Sequence, residues 1–87
     1  MYKLNYYRRS IADNADKEQK LEHLGMGEFF RLRRNALHYL LDIVQNEYRE
    51  DGYATEVRAG SLYCYKSDKT EEGNRKITEI LIKVEKE

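Results

Sequence analysis

One segment, GEFFRLRRNALHYLLDIVQNEYR at residues 27–49, carries the clearest pattern in this chain. Its apolar side chains recur at helical spacing and cover an arc of about 200° around a helix axis. A helix that lies on one sheet needs an apolar stripe of only about 100°. The segment therefore predicts a long amphipathic helix that ends near Glu50 and is covered on two sides, by a sheet and by a second surface.

Arg33 projects near the centre of this apolar arc, where a charge is unexpected. A guanidinium on an apolar surface could bind a carboxylate or phosphate of a partner through two hydrogen bonds. In the interpretation that we favour, the stem of Arg33 packs against the core while its head reaches the edge or pairs with Glu56 or Glu79 on the sheet.

The residues before this segment predict a strand and a second helix. Residues 2–7 alternate between polar and apolar positions, which is typical of a short strand. Ser10 or Asp13 can cap a polar helix that runs to about Leu24. Gly25 suits the residue that closes this helix, because glycine adopts the left-handed conformation without steric cost.

The residues after the long helix predict an antiparallel meander. Residues 53–66 alternate as one bent strand or as a hairpin, and residues 76–85 form the clearest strand, whose Ile80 face should meet the helix. The predicted fold class is α+β, in the order β-α-α-β-β-β, with a small antiparallel sheet packed on one long amphipathic helix. The sheet has four strands if the first strand pairs with the meander. At 87 residues, the chain is predicted to form a single domain over residues 1–87.

Charge and composition narrow the classes of function. The 16 basic and 16 acidic side chains cancel, which argues against coating nucleic acid through net charge but not against a local basic patch. A lone cysteine, Cys64, excludes a disulfide framework and fits a reducing cytoplasm. The N-terminal residues, MYKLNYYRRS, contain no long apolar run, so neither a signal peptide nor a membrane anchor is expected there. The eight tyrosines favour binding, because tyrosine is amphipathic and enriched at interfaces.

The sequence predicts no catalytic residue, no cofactor and no metal site. Cys64 is expected to be buried as a small apolar residue, because a nucleophilic cysteine needs a base and both histidines fall on predicted helices. His23 and His38 also lack the paired spacing of metal ligands. Gly25 and Gly27 are not accompanied by the Lys and Ser or Thr of a phosphate-binding loop.

One candidate surface is rich in tyrosine. Tyr63 and Tyr65 are expected to face the same side of the sheet, with Arg58 or Lys83 and with the acidic residues of these strands. Such a face can stack nucleic-acid bases, although tyrosines on a half-open sheet more often cover a small core or form a protein interface. The candidates for partner binding are Arg33, Tyr39, Tyr48, Tyr63 and Tyr65.

The other candidate surface is basic. An exposed strip of the long helix carries two arginines and a histidine, and the N-terminal pair of arginines is expected nearby. This strip could contact phosphates, or it could be an ordinary solvated helix face. The candidates for nucleic-acid contacts are Arg8, Arg9, Arg31, Arg34 and His38.

The predicted order of elements resembles that of the small ribonuclease toxins of bacterial toxin–antitoxin pairs, which open with a short strand, two helices and a meander. Those toxins are usually strongly basic and carry Arg, Lys or His on their late strands. Here the last strand and its end, KITEILIKVEKE at residues 76–87, are balanced in charge and contain no histidine. The resemblance is therefore one of topology alone, and the chain is not assigned to that family.

Three hypotheses for function follow. The first is a small non-enzymatic protein-interaction module in the bacterial or phage cytoplasm, which binds another protein or itself, as a homodimer or larger homo-oligomer, through the long helix or the tyrosine face. Its setting, an accessory or inhibitor protein of a phage or mobile element, rests on analogy. The second is a nucleic-acid-binding regulator that uses the basic strip. The third is a ribonuclease-like enzyme.

Overall fold

The computed structural model describes residues 1–12, 21–69, 71 and 73–87. Over these residues the fold is α+β, with a five-stranded antiparallel sheet and one helix of 18 residues. The strands are β1 (Tyr2–Ala12), β2 (Glu22–Phe30), β3 (Ala54–Arg58), β4 (Ser61–Lys69) and β5 (Arg75–Lys86). Helix α1 lies between β2 and β3 and joins an α-helical part (Arg33–Tyr39), a π-helical turn (Leu40–Val44) and a second α-helical part (Gln45–Glu50).

The strands lie side by side in the order β2-β1-β5-β4-β3, each antiparallel to its neighbours. β1 pairs along its whole length with β5, with Tyr7 opposite Leu81, so the first strand does join the C-terminal meander. β3 and β4 form a hairpin, which decides between the two alternatives for residues 53–66. The hairpin turn contains Gly60 at a φ of +69°, a left-handed conformation that suits glycine.

The core lies between α1 and one face of the sheet. Three residues of α1 at a spacing of four, Ala36, Leu40 and Val44, are almost fully buried. Their partners in the core are Leu4, Leu62, Cys64, Ile80 and Ile82. The prediction that the Ile80 face of the last strand meets the helix is confirmed, and so is the burial of the cysteine.

Helix α1 ends at Glu50, where the sequence predicts its end. Gly52 follows at a φ of +91° and donates its N–H to the carbonyl of Arg49 at 3.0 Å. The N–H of Tyr53 reaches back to the carbonyl of Tyr48 at 2.9 Å. These two bonds satisfy carbonyls that the last helical turn leaves without partners, and they direct the chain into β3.

Two predictions for the N-terminal half are wrong. The polar helix does not start at Ser10 or reach Leu24, because β1 continues to Ala12 and residues 22–30 form β2. Residues 13–20, where the rest of that helix was expected, lie outside the described part of the chain. The long helix begins at Arg33 and not near Gly27, so the order of the described elements is β-β-α-β-β-β.

Two β-bulges explain why β2 is hard to read from sequence. Along β1, the residues Lys3, Asn5 and Tyr7 are two apart, but their partners on β2 are three apart. Those partners are Phe29, Met26 and His23. Each bulge adds one residue to β2, so side chains on one face recur every third residue, as they nearly do on a helix.

The sheet covers α1 on one side, and no other described element covers its outer side. Ile43 remains 45% exposed on that outer side. The apolar arc of the real helix is also narrower than expected, because Phe29 and Phe30 belong to β2. Coverage of the helix on two sides is therefore not found within the described part of the chain.

Candidate functional site

The face of the sheet opposite α1, which we call the open face, is covered by none of the described elements. Because side chains alternate along each strand, residues that do not point into the core share this face. Its central residues are Lys3, Asn5, Tyr7 and Arg9 (β1), His23, Met26 and Phe29 (β2), Glu56 and Arg58 (β3), Tyr63 and Tyr65 (β4), and Glu79, Leu81, Lys83 and Glu85 (β5).

A buried carboxylate lies near the centre of the open face. Glu79 is only 8% exposed, and its Oε1 accepts hydrogen bonds from Nε of Arg9 at 3.0 Å and forms an ion pair with Nη2 at 2.9 Å. The hydroxyl of Tyr63 donates to its other oxygen. With both oxygens engaged, Glu79 of β5 holds side chains of the two neighbouring strands, β1 and β4.

Two tyrosine rings of this face are in cation–π contact with basic side chains of the same protein. Cζ of Arg58 lies 4.5 Å from the centre of the Tyr63 ring, and Nζ of Lys83 lies 5.4 Å from the centre of the Tyr7 ring. Tyr65 stands beside Tyr63, with 5.7 Å between ring centres. Cation–π contacts of this kind hold the rings in place but leave less of each ring for stacking with a nucleic-acid base.

A second hydrogen-bonded group links β1, β2 and β5. Oε1 of Glu85 accepts from Nδ2 of Asn5 at 2.9 Å and from the hydroxyl of Tyr7 at 3.2 Å. His23 of β2 lies against two side chains of β1, since its Nε2 is 3.1 Å from Oδ1 of Asn5 and its ring centre is 5.0 Å from that of Tyr7. Much of the open face is therefore held by hydrogen bonds between its own side chains.

The tyrosines predicted to share one side of the sheet do lie on the same side. Tyr63 and Tyr65 share it with Arg58 and Lys83, and the acidic residues Glu56 and Glu79 lie there too. The other tyrosine candidates lie on the helix side: Tyr39 packs on Phe30, with 5.3 Å between ring centres, and Tyr48 packs edge-on against Tyr53.

Arg33 forms no ion pair with a described residue. Glu79 is paired with Arg9, and Glu56 with Arg58, so neither of the carboxylates proposed as its internal partner is bound to it. Its guanidinium lies over the β3–β4 turn, where a Cβ built on Gly60 would come within 2.9 Å of Nη2. The head of Arg33 thus lies at an exposed edge of the fold, beside the β3–β4 turn.

The structure does not gather the basic candidates into one strip. Arg8 and Arg9 point to opposite faces of β1, and Arg8 lies six residues along that strand from Tyr2. Tyr2 pairs with Phe30, next to Arg31, so about 20 Å of strand separates the two basic groups. Arg31, Arg34 and His38 remain exposed near the start of α1.

Sequence reasoning missed the contributions of β1 and β2 to this face. The alternation of residues 2–7 placed Tyr7 opposite the core, but nothing local indicates that it neighbours Leu81. Met26 and Phe29 were missed because Met26 was expected in the turn that closes the polar helix and Phe29 in the first turn of the long helix, whereas both lie on β2. The association of Arg9 with Glu79, seventy residues away, has no local signal at all.

The ionisation of Tyr63 should make the stability of the fold depend on pH. Burial and the hydrogen bond to Glu79 raise the pKa of Tyr63 from 10.0 to about 12. The unfolded chain then loses the phenol proton at a lower pH than the native protein, so stability should fall as pH rises from about 10 to 12. Urea unfolding midpoints should decrease across this window, and less so in Tyr63→Phe. Equal decreases in both proteins would show that Tyr63 does not contribute.

Among the described residues, no group of three or more His, Cys, Asp or Glu side chains is placed to hold a metal ion. No helix in this part of the chain is long and apolar enough to cross a bilayer. Comparison with known proteins yields no significant match to a family model, a curated protein or a solved structure. The geometry of the chain is therefore the only basis for a functional proposal.

Proposed function

We propose that this protein is a non-enzymatic interaction module and that the open face of its sheet is its binding surface. The observation that carries the proposal is the exposure of large side chains on an ordered sheet face. Tyr65 is 44%, Phe29 45% and Met26 54% exposed. Tyr, Phe, Met and Arg are the residues enriched at protein interfaces.

The order of this face lowers the cost of binding. The rings of Tyr7 and Tyr63 are held by Lys83 and Arg58, and the hydroxyls of these tyrosines are bonded to Glu85 and Glu79. A partner that contacts side chains already held in one conformation loses less conformational entropy on binding than one that must order them.

Both edges of the sheet are less suited to binding than its face. β2 is interrupted by two bulges, and β3 is only five residues long with the charged residues Glu56 and Arg58 exposed. Short, charged and bulged edge strands disfavour the addition of a further strand. A partner is therefore expected to pack on the open face and not to extend the sheet.

The open face carries side chains of both charges, so a second copy of this chain is the partner that we expect it to bind. Arg58 and Lys83 stand on the same surface as Glu56 and Glu85, so two identical faces related by a twofold axis can place opposite charges against each other. Packing two sheets face to face would also remove Tyr65 and Phe29 from water.

Self-association is tested by sedimentation equilibrium up to several hundred micromolar. We expect a dimer, and we expect Tyr65→Lys to raise its dissociation constant at least about tenfold, because the substitution places an additional charge without a partner in the interface. Ile43→Lys is the matched control, since Ile43 is 45% exposed on the outer side of α1.

A strict monomer throughout this range would contradict the self-association. An equal response of the two variants would contradict the assignment of the open face, because Ile43 is on the opposite side of the molecule.

A second candidate function, binding of single-stranded nucleic acid, is favoured by the charge at one end of the open face. Lys69 and Arg75 are paired on neighbouring strands and continue the side that carries Tyr65 and Glu79. Fluorescence anisotropy with a single-stranded oligonucleotide should then show affinity that falls steeply with salt, since phosphate contacts release counterions. Binding that is insensitive to salt, or absent, would exclude this function for the face.

A further inference from the structure

A cleft of about 200 Å³ opens on the other side of the sheet, between β1 and the C-terminal half of α1. It is lined by Tyr6 of β1, by Val44, Glu47 and Tyr48 of α1, and by Asp51 just after the helix. Four of the five lining residues are therefore tyrosines or acidic residues. None of these residues belongs to the open face, so the cleft is a separate site.

The two tyrosines that line the cleft are fixed by their neighbours. The ring of Tyr6 lies so close to Gly27 that a Cβ on that glycine would come within 2.6 Å of Cε1. The ring of Tyr48 packs edge-on against Tyr53, with 5.2 Å between centres and 87° between planes. Neither hydroxyl has a hydrogen-bond partner among the described residues, so both phenol groups are available to a ligand.

The cleft carries negative charge, because Glu47 and Asp51 line it. The pKa of Tyr6 is raised to about 12, chiefly by burial, then by the neighbouring phenols of Tyr48 and Tyr39, and then by the carboxylates of Glu47 and Glu28. The C-terminal end of a helix adds partial negative charge from its last carbonyls. The ammonium group of Lys66 interacts with this end of the helix, since its Nζ donates to the carbonyl of Asp51 at 3.0 Å.

No basic side chain of the described residues lines the cleft. Three cations lie close in sequence to cleft residues or bond to one of them. Arg49, next to Tyr48, donates from Nε to Oγ1 of Thr55 at 3.2 Å, Lys66 is bound to the backbone of Asp51, and Arg8 lies two residues beyond Tyr6 on the same side of β1. None of the three forms an ion pair with Glu47 or Asp51, since the two ion pairs found between described residues lie on the open face. Among the described residues, therefore, no ion pair neutralises Glu47 or Asp51.

We propose that this cleft binds an organic ammonium group. Aromatic rings attract such cations through their electron-rich faces, most strongly where water is excluded, and nearby carboxylates add to the attraction. Pockets for drug-sized ligands occupy about 300–1,000 Å³. At about 200 Å³ the cleft accommodates a head group only, such as a quaternary ammonium or the end of a lysine side chain.

The test compares a cation with a neutral molecule of the same shape. Choline and 3,3-dimethylbutan-1-ol differ in the charge of the head group, and each is titrated at constant ionic strength while the tyrosine ring signals are followed by NMR. We expect choline to shift the signals of Tyr6 and Tyr48 saturably and to bind at least about tenfold more tightly than the alcohol. Equal binding of the two, or no saturable shift, would overturn the proposal.

Variants locate the site. Glu47→Gln should weaken choline binding severalfold, whereas Glu50→Gln, which removes the same charge from the same end of α1 but outside the cleft, should not. Tyr48→Phe keeps a ring and should retain binding, whereas Tyr48→Leu should lose it, with circular dichroism used to verify that each variant is folded. Equal effects of the two Glu variants would place the cation elsewhere.

The source of the ammonium group is distinguished by a further ligand. N-acetyl-trimethyllysine amide presents the same head group on a peptide-like stem. Tighter binding than choline assigns the site to a lysine side chain of a protein partner, and equal binding assigns it to a free small molecule. Because the cleft and the open face are on opposite sides of the sheet, failure here leaves the self-association experiment unaffected.

Discussion

Replacing Leu40 by Ala should lower the free energy of unfolding by about 2–4 kcal/mol. Leu40 is fully buried in the π-helical turn of α1 and belongs to the core with Leu4 and Ile82. The loss combines the transfer free energy of the removed methyl groups with the cavity that they leave. Ile82→Ala, at the centre of the sheet and equally buried, should have an effect of similar size.

Such a loss is a large fraction of the stability of a small domain, which is about 5–15 kcal/mol. Urea unfolding followed by circular dichroism measures it. Ile43→Ala is the control, because Ile43 is three residues away on the exposed side of the same helix and should change stability by less than about 1 kcal/mol. Equal effects of Leu40→Ala and Ile43→Ala would mean that the helix presents a different face to the sheet.

Replacing Arg9 by Met should destabilise the protein by about 1–3 kcal/mol. The substitution leaves the buried carboxylate of Glu79 with the Tyr63 hydroxyl as its remaining partner in this group. Removing one partner of a fully buried ion pair costs about 3–5 kcal/mol, and we reduce this figure because the Arg9 side chain is itself 30% exposed and water screens the pair.

The double variant Arg9→Met with Glu79→Gln separates this effect from a loss of packing. Once the carboxylate is neutral, the uncompensated charge is gone, and part of the stability should return. A double variant whose destabilisation equals the sum of the two single effects would show that the residues do not interact. A neutral response to Arg9→Met alone would contradict the structural role of the pair.

An element can be predicted from the sequence when the residues that decide its structure lie close together in the chain. Alternation along β4 and β5 predicts which side chains face away from the core, because the two sides of a strand are set by backbone geometry alone. That rule placed Tyr63 and Tyr65 together on one side. The stop after Glu50 is equally local, since it depends on a glycine that adopts the left-handed conformation.

β2 shows where local patterns mislead. His23, Met26 and Phe29 are spaced by three residues, which favours a helix when the residues are read alone. Pairing with β1 makes them a strand, and the two bulges absorb the extra residues, with Gly25 at one of them adopting a φ of +129°. The energy of a completed ladder of backbone hydrogen bonds outweighs a local preference that is worth less than 1 kcal/mol per residue.

The sequence by itself determined the α+β class, the side of the last strand that faces the helix and the burial of Cys64, because these follow from periodicity and hydrophobicity over short spans. Only the tertiary structure decided that Arg9 and not Arg33 neutralises Glu79, and that Tyr6 and Tyr48 meet across a cleft. Both contacts join residues far apart in the chain. Their distances depend on strand order and register, which arise from the packing of the whole domain.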